Sequence, residues 1–351
     1  MMEDNNAIAI VGAGCIGLCT AYQLSKSFEN QERKPSIIVV EAGDRPFAAA
    51  SSACTGCFHY HFPGSTGKVL APLGQYSFDL WAKEVQNAEF RLATGYRVNS
   101  SYGVCRGHGK GLDKLPNWIK AETGWDVDNQ VLGNNTATVQ LLLACGPWTP
   151  TLYKNLFPSA PFHLQRTTNA GDWIICQNPC LTMPESTAFV SFEPLTGTKF
   201  EFACRNDGTI WACGRRNFDA MLPPPDRPDE PDERLIKELR ACASKWLNRD
   251  CTSLGEHSED VQLLSKGRAF RPATSSGLPV MSEVKSSDVT ADAASFPTGI
   301  FVCWGHGSWG LTLGMGSGRV MSQLMGGKEP DIDLSPFSLE LNSIPAGHQG
   351  S

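Results

Sequence analysis

The chain has 351 residues, of which 41% are hydrophobic and 19% charged, and its formal net charge at pH 7 is −6. This composition is typical of a globular protein and excludes a disordered or fibrous chain. The net acidity argues against a nucleic-acid partner, because a protein that binds phosphate backbones needs an excess of Lys and Arg. No apolar run approaches the roughly 18 residues that a membrane-spanning helix requires. We therefore expect neither nucleic acid nor membrane as a partner.

The N-terminal segment and the cysteines bear on the compartment. The chain opens on acidic residues and has neither the basic start nor the apolar stretch of a secretory signal. Its 13 cysteines are scattered, mostly inside apolar segments, which is typical of reduced, buried thiols. These observations predict a cytoplasmic protein.

The strongest signal lies at the start of the chain. A short apolar stretch, Ala7–Val11, predicts a strand that runs directly into a glycine-rich turn, residues 12–17, with a helical pattern behind it. A second predicted strand, residues 37–40, ends on Glu41. This order of strand, GxGxxG turn, helix, strand and acidic residue is the fingerprint of a dinucleotide-binding unit.

Each fingerprint position has a physical role. Gly12 permits the tight turn, Gly14 lets the backbone approach a pyrophosphate, and Gly17 allows close packing of helix on strand. The first helical turn, which includes Ile16, offers unpaired N–H groups and the positive end of the helix dipole. Glu41 is placed to accept hydrogen bonds from ribose hydroxyls. The fingerprint alone does not separate FAD from NAD.

Four later segments of the sequence help to decide between FAD and NAD. A loop of small residues follows Glu41 and contains Ser51 and Ser52. An apolar strand pattern at residues 141–145 leads into a Gly-Pro-Trp turn, and an Arg-Pro segment occupies residues 267–272. A predicted strand at residues 300–304 is followed by a glycine-rich loop, residues 305–314, and by a helix predicted from about Met315 to Met325.

In this order the segments resemble the FAD-dependent D-amino-acid oxidase (DAO) superfamily, and its fungal members in particular. The resemblance implies an α/β fold, in which a Rossmann-like FAD-binding domain is joined to a discontinuous α+β substrate domain (the glutathione-reductase-like, or DAO, fold). It also implies FAD as the cofactor. In this family the glycine-rich loop runs along the isoalloxazine, and the helix behind it directs its positive end at the ring, which stabilises the reduced cofactor.

The fingerprint and the resemblance together assign a set of cofactor-binding positions. These are Gly12, Gly14, Ile16, Gly17, Glu41, Ser51, Ser52, Cys145, Gly146, Trp148, Gly305, His306, Gly307, Trp309, Gly310, Leu311 and Thr312. No metal site is predicted.

Three residues are assigned to the chemistry. The resemblance implies that Arg271 grips a substrate carboxylate, for which a guanidinium is suited; the alternative is a structural arginine or a cofactor contact. His306 is a polar contact near the ring or a turn residue that bonds its own backbone. His59, next to the small-residue loop, is a base, a covalent flavin anchor or an ordinary polar residue. A CxxC pair, Cys54 and Cys57, leaves open a redox-active dithiol.

The same segments divide the chain. The FAD-binding domain is predicted at residues 1–75, 136–160 and 262–335, the substrate domain at 76–135 and 161–261, and a C-terminal tail at 336–351. Family members carry a helix and several strands before the segment at 141–145, and the sequence leaves no room for them. Several tens of residues are therefore expected to be missing after Val139.

The implied activity is that of a DAO-like oxidase or dehydrogenase. It would oxidise a C–N bond of an amine or amino acid by hydride transfer to flavin, with molecular oxygen as acceptor and hydrogen peroxide as product. Two alternatives stay open. One is a tailoring oxidase that acts on an uncharged secondary metabolite, and the other is a truncated, inactive flavin-fold protein.

Overall fold

The fold comes from a computed structural model. It describes residues 7–32, 34–58, 62, 64–98, 100–106, 125–130, 140–167, 169–178, 180, 186–190, 199–205, 207–227, 230–247, 261–285 and 299–345. The candidate catalytic residue His59 and the expected deletion point after Val139 lie outside these residues, so both stay predictions.

The described residues form strands and helices, which are numbered in chain order. The strands are β1 (Ala7–Val11), β2 (Ser36–Val40), β3 (Ser100–Arg106), β4 (Trp125–Gln130), β5 (Leu141–Leu143), β6 (Phe162–Leu164), β7 (Arg166–Thr167), β8 (Ala170–Gln177), β9 (Ser186–Val190), β10 (Phe200–Cys204), β11 (Thr209–Asn217), β12 (Leu263–Phe270), β13 (Ala273–Thr274), β14 (Val280–Val284), β15 (Ile300–Trp304) and β16 (Ser343–Pro345). The α-helices are α1 (Cys15–Ser27), α2 (Gly67–Glu84), α3 (Ala88–Thr94), α4 (Thr149–Leu156), α5 (Glu233–Trp246) and α6 (Gly310–Met325).

The first sheet has five strands in the order β14-β15-β5-β1-β2. β1 pairs in parallel with both β2 and β5, and β15 pairs in parallel with β5, whereas β14 is antiparallel. Ile10 lies at the centre, opposite Val39 on one side and Leu142 on the other. This sheet confirms the strands predicted on either side of the fingerprint turn, and the carboxyl ends of its four parallel strands lie along one edge.

Helices α1, α2 and α6 pack against this sheet and against one another. Glycines on α6 allow the close approach: a Cβ on Gly314 would lie 2.9 Å from Cys15 Sγ, and one on Gly316 would lie 3.0 Å from Leu73 Cδ1. The prediction of a loop to Gly314 and a helix from Met315 is therefore wrong. The helix begins at Gly310, because tight helix packing offsets the low helix propensity of these glycines.

The second sheet has seven strands in the order β12-β8-β11-β10-β9-β3-β4 and is mostly antiparallel. Helix α5 covers one face, where Ile174 and Phe202 pack with Leu239 and Trp246. The other face of the sheet, which carries Trp173 among others, lines a cavity. The parallel sheet with its helices and this second sheet confirm the predicted α/β fold class.

Two further expectations can be compared with the fold. Ten cysteines in the described part of the chain, among them Cys54 and Cys57, form no disulfide. Cys180 is disulfide-bonded, so the expectation of reduced thiols is wrong at this position. Among the residues described, no helix has the length and apolarity needed to cross a membrane. The predicted division into domains stays a prediction.

Candidate active site

A cavity of about 2050 Å³ lies between the two sheets. It follows the carboxyl ends of β2, β1, β5 and β15, and its far wall is the uncovered face of the second sheet. The ends of parallel strands are the usual ligand site of such sheets. The cavity exceeds the 300–1,000 Å³ or so of common small-molecule pockets, so it has room for a large cofactor together with a second molecule.

The fingerprint turn is closed to side chains. Gly12 has a φ of 110°, and a Cβ built on it would lie 2.5 Å from the carbonyl oxygen of Ala144. A Cβ on Gly17 would lie 1.8 Å from the carbonyl oxygen of Gly12. Only glycine fits either position, and the backbone can therefore fold tightly against β5 while its outer side faces the cavity.

The N-terminus of α1 is open toward the cavity. Its N-cap, Gly14, has no side chain to accept from the helix N–H groups, and its first turn has no acidic residue. Ser51 reaches this turn from the small-residue loop, and Cys15 N donates to Ser51 Oγ over 2.9 Å. Ile16 lines the cavity beside them. The other N–H groups of the turn and the helix dipole favour an anionic group at this position.

Glu41 is held at the end of β2 by backbone donors. Ala13 N donates to Oε2 over 2.7 Å, and Ala42 N and Gly43 N donate to Oε1 over 2.9 and 3.0 Å. An ionised carboxylate can accept about four hydrogen bonds. The fixed carboxylate thus lies next to the fingerprint turn with capacity left for a hydroxyl.

The N-terminus of α6 faces the same cavity beside that of α1, with Cys15 Sγ 3.6 Å from the carbonyl oxygen of Gly310. Its N-cap, Trp309, makes no capping side-chain hydrogen bond, and the first helical turn lacks acidic residues. The turn before it bends at Gly305 and Gly307, whose φ angles are 87° and 56°. The predicted positions in this part of the cavity are all lining residues: Gly305, His306, Gly307, Trp309, Gly310, Leu311 and Thr312. A second positive helix end is therefore directed into the cavity.

His306 lies beneath this turn and is only 2% exposed. Its Nε2 is 2.9 Å from Ser317 Oγ, whereas Nδ1 is buried with no hydrogen-bond partner among the residues described. Burial lowers the pKa of His306 to about 3. The imidazole is therefore neutral at physiological pH, and it can offer one ring nitrogen to a ligand.

The pH dependence of stability tests this protonation state. Between a folded pKa of about 3 and an unfolded value of about 6.5, only the unfolded chain binds the proton. The contribution of His306 is therefore complete above about pH 6.5, and at pH 5 about 2 kcal/mol of it is lost. The free energy of urea unfolding should fall between pH 7.5 and pH 5 in the wild-type protein, and this fall should be smaller in His306→Gln by the same amount. An identical loss in both proteins would contradict it.

Arg271 projects into the cavity from the far wall. Its backbone N–H donates to Asn169 O over 2.9 Å, and its guanidinium lies over Gly171, where a Cβ would be 2.5 Å from Nη1. Nη1 is buried and has no hydrogen-bond partner within the described part of the chain. The same holds for Asn169 Oδ1 and Trp173 Nε1, which also line the cavity. Buried polar atoms are almost always paired, so these three atoms are suited to bind a polar ligand.

Four other predicted positions lie around the fingerprint turn. Cys145 lines the cavity and its Sγ lies 3.2 Å from Val11 O, and burial raises the pKa of this thiol to about 12. Gly146 and Trp148 also line the cavity, and Trp148 Nε1 donates to Pro223 O over 2.7 Å. Ser52 is turned away, because its Oγ donates to Ala49 O and the residue is exposed.

The CxxC pair does not have the features of a redox-active dithiol. Neither thiol forms a disulfide, and Cys54 Sγ donates to Ser51 O over 3.2 Å. Burial raises the pKa of Cys54 above its ordinary value, whereas a reactive dithiol needs a lowered one. The pair instead forms part of the cavity wall near the small-residue loop.

Sequence reasoning missed the polar residues of the second sheet. Trp173, Trp211, Glu201 and Arg216 all line the cavity, and Lys199 lies beside them. Their strands are recognisable from apolar alternation, but alternation does not say which face meets a cavity and which meets a helix. The apolar face of helix α5 could have indicated them, because the sheet face that packs against this helix cannot be the one that lines the cavity.

The fold and the cavity are those of a dinucleotide-binding protein built on a Rossmann-like sheet. A family model described as FAD dependent oxidoreductase (DAO) matches residues 7–140 and 119–324. The chain belongs to this family, and it is an oxidoreductase that uses FAD. The predicted family and cofactor are thereby confirmed.

The chain is similar to several known proteins. A Schizosaccharomyces pombe protein named as a putative oxidoreductase is 25% identical over 188 residues, which are 53% of this chain and 41% of the relative. A D-amino acid dehydrogenase of Xanthobacter autotrophicus is 32% identical over 80 residues, 23% of this chain and 16% of the relative. The matches thus span less than half the length of these curated relatives.

Solved structures share the fold over nearly the whole chain. Glycine oxidase from Geobacillus kaustophilus has a TM-score of 0.67 at 19% identity, covering 97% of this chain and 98% of that one. L-amino acid deaminase from Proteus vulgaris has a TM-score of 0.64 at 14% identity, covering 96% and 97%. At these identities the likeness shows a common fold.

The residues present fit FAD. A glycine turn that any Cβ would fill and a helix end without a capping side chain suit a pyrophosphate, and Glu41 suits a ribose. The N-terminus of α6, which also faces the cavity, would stabilise an electron-rich ring placed next to it. The lining of this one cavity thus suits the ribose, the pyrophosphate and the ring of the cofactor.

Proposed function

We propose that the protein oxidises the C–N bond of an amino acid or a related amine with a carboxylate, with oxygen as the electron acceptor. The observation that carries this proposal is the buried, unpartnered Nη1 of Arg271 in the described part of the cavity wall. The names of the relatives support it, since they include D-amino acid dehydrogenases and a glycine oxidase.

The reaction balances as a two-electron oxidation. When bound, FAD would supply the acceptor for a hydride from the α C–H of the substrate. The amine loses one proton as the C–N bond becomes C=N, and water then hydrolyses the imine to a carbonyl compound and ammonia. Oxygen takes up the two electrons with two protons and leaves as hydrogen peroxide.

The side chains of the chain orient the substrate and exclude water. A guanidinium binds a carboxylate through two parallel hydrogen bonds, so Arg271 fixes both position and direction. Trp173 and Trp211 lie on the same wall with free indole N–H groups in the part of the chain that is described. Neutral His306 accepts or donates at Nδ1 without adding charge near the ring.

The first experiment is an absorbance spectrum of the purified protein, followed by a screen of amino acids for peroxide release. Bands near about 375 and 450 nm, which are those of the flavin itself, and peroxide with at least one amino acid are expected. Acid precipitation then separates covalent from released flavin. A colourless protein that takes up no added FAD, or a yellow one that oxidises no amino acid or amine, contradicts the proposal.

Replacing Arg271 by leucine tests the carboxylate contact. Hydrogen bonds to charged groups contribute about 1.5–3 kcal/mol, so KM for the amino acid should rise by about 10- to 100-fold. The matched control is the amine that lacks the carboxylate, for which the wild-type protein and Arg271→Leu should have similar KM values. An unchanged KM for the amino acid would favour an uncharged substrate, as expected of a tailoring oxidase.

A further inference from the structure

A second arginine shares the cavity wall with Arg271. Arg216 on β11 lies directly opposite Gly171 on β8, and residues directly opposite in paired strands direct their side chains to the same face. The space over Gly171 on that face is filled by the guanidinium of Arg271. The two arginine side chains therefore converge on one region of the cavity.

A β-bulge determines which arginine reaches this region. The register of β11 against β8 shifts between Cys213 and Arg216, so one extra residue is accommodated there. Bulges of this kind redirect side chains near functional sites. Arg215 contacts helix α5 instead, with its Nε 3.7 Å from Glu238 Oε1, whereas Arg216 Nη2 donates to Ser308 Oγ over 3.3 Å in the turn before α6.

The charges around this region are in cationic excess. Arg216 and Arg271 line the wall together with the carboxylate of Glu201, whose Oε2 is 3.6 Å from Cys213 Sγ. The nearby Arg268 has its own carboxylate partner. Burial, together with the neighbouring charge of Arg271, lowers the pKa of Arg216. A guanidinium does not lose its proton in proteins, so the two like charges repel each other, and the single carboxylate of Glu201 does not neutralise both.

We propose that Arg216 is a specificity-determining residue that binds a second anionic group, and that the preferred substrate is an amino acid with two carboxylates. This inference rests on the proposed oxidation of amino acids. One carboxylate binds Arg271, and the second binds Arg216 beside Ser308. A dianion relieves the repulsion between the two guanidiniums, which a monoanion does only in part.

Anion binding tests the inference without turnover. The FAD-bound enzyme is titrated with acetate and with succinate, and binding is followed by the flavin spectrum and by calorimetry. We expect succinate to bind at least about 10-fold more tightly, and Arg216→Met to lower the ratio of succinate to acetate affinity by about 10- to 100-fold. Arg215→Met is the matched control, since that side chain contacts α5, and its ratio should equal the wild-type value.

Kinetics provide a second measurement. Arg216→Met should raise KM for aspartate or glutamate relative to alanine by a similar factor, with kcat changed much less. Equal affinities for succinate and acetate, or equal losses in Arg215→Met and Arg216→Met, would overturn the inference. Peroxide from alanine but not from dicarboxylic amino acids would overturn it and leave the proposed function intact. Succinate binding that depends on Arg216, without oxidation of any amino acid, would support the anion site and contradict the proposed function.

Discussion

Replacing Gly17 by alanine is expected to abolish FAD binding. The new Cβ would lie 1.8 Å from the carbonyl oxygen of Gly12, which is backbone and cannot turn aside. Helix α1 would have to move away from β1, and its N-terminus would leave the cavity. The ratio of flavin to protein absorbance after purification with excess FAD measures the effect, and circular dichroism monitors the fold.

Two companion variants make this result specific. Gly14→Ala should bind FAD more weakly but measurably, because its Cβ would meet only Ser51 Oγ, at 3.3 Å. Gly103→Ala should bind FAD like the wild type, since this residue lines the same cavity and no described atom lies within 4 Å of its Cβ position. A yellow Gly17→Ala protein with normal flavin content would refute the role of the turn.

Replacing Asp172 by asparagine is expected to destabilise the protein by about 3–5 kcal/mol, the usual cost of breaking a buried ion pair. Asp172 is 1% exposed, and its Oδ1 and Oδ2 lie 2.7 and 3.1 Å from Nε and Nη2 of Arg268. The variant leaves the guanidinium charge buried without its carboxylate. The free energy of urea unfolding measures the loss.

A surface pair supplies the control for this variant. Glu340 pairs with Lys285 over 2.8 Å, but both side chains are more than half exposed. Solvent screens such pairs, and they contribute about 0–1 kcal/mol, so Glu340→Gln should change the unfolding free energy very little. If Asp172→Asn and Glu340→Gln lower the unfolding free energy by similar amounts, the buried pair contributes no more to stability than the surface pair.

The parts of the fold that could be predicted depend on local sequence. Strand, turn and helix at residues 7–27 follow from apolar spacing and from glycines with no alternative, and Arg271 could be chosen because its segment resembles a family motif. The start of α6 could not be predicted, because its glycines lower helix propensity while their packing against Cys15 and Leu73 depends on distant segments. Local propensity and tertiary packing disagree there, and packing decides.

The polar wall of the cavity could not be predicted for a related reason. Two adjacent arginines, Arg215 and Arg216, look equivalent in the sequence. Adjacent residues of a strand point to opposite faces, and the one-residue bulge in β11 decides that Arg216, and not Arg215, lies on the cavity side. Likewise, the space that Arg271 occupies exists because Gly171 on another strand has no side chain. Neither the bulge nor the space over Gly171 can be recognised from the spacing of residues along one strand.

The contact between α1 and α6 has a mechanical consequence. Each helix directs one positive end at the cavity, and they touch where Gly314 meets Cys15. At such close range neither helix can shift along its axis without moving the other. The nucleotide end and the ring end of the site are thus rigidly linked, and the two halves of the cofactor engage as one body. A substitution that displaces α1 should therefore also displace the N-terminus of α6 from the flavin ring.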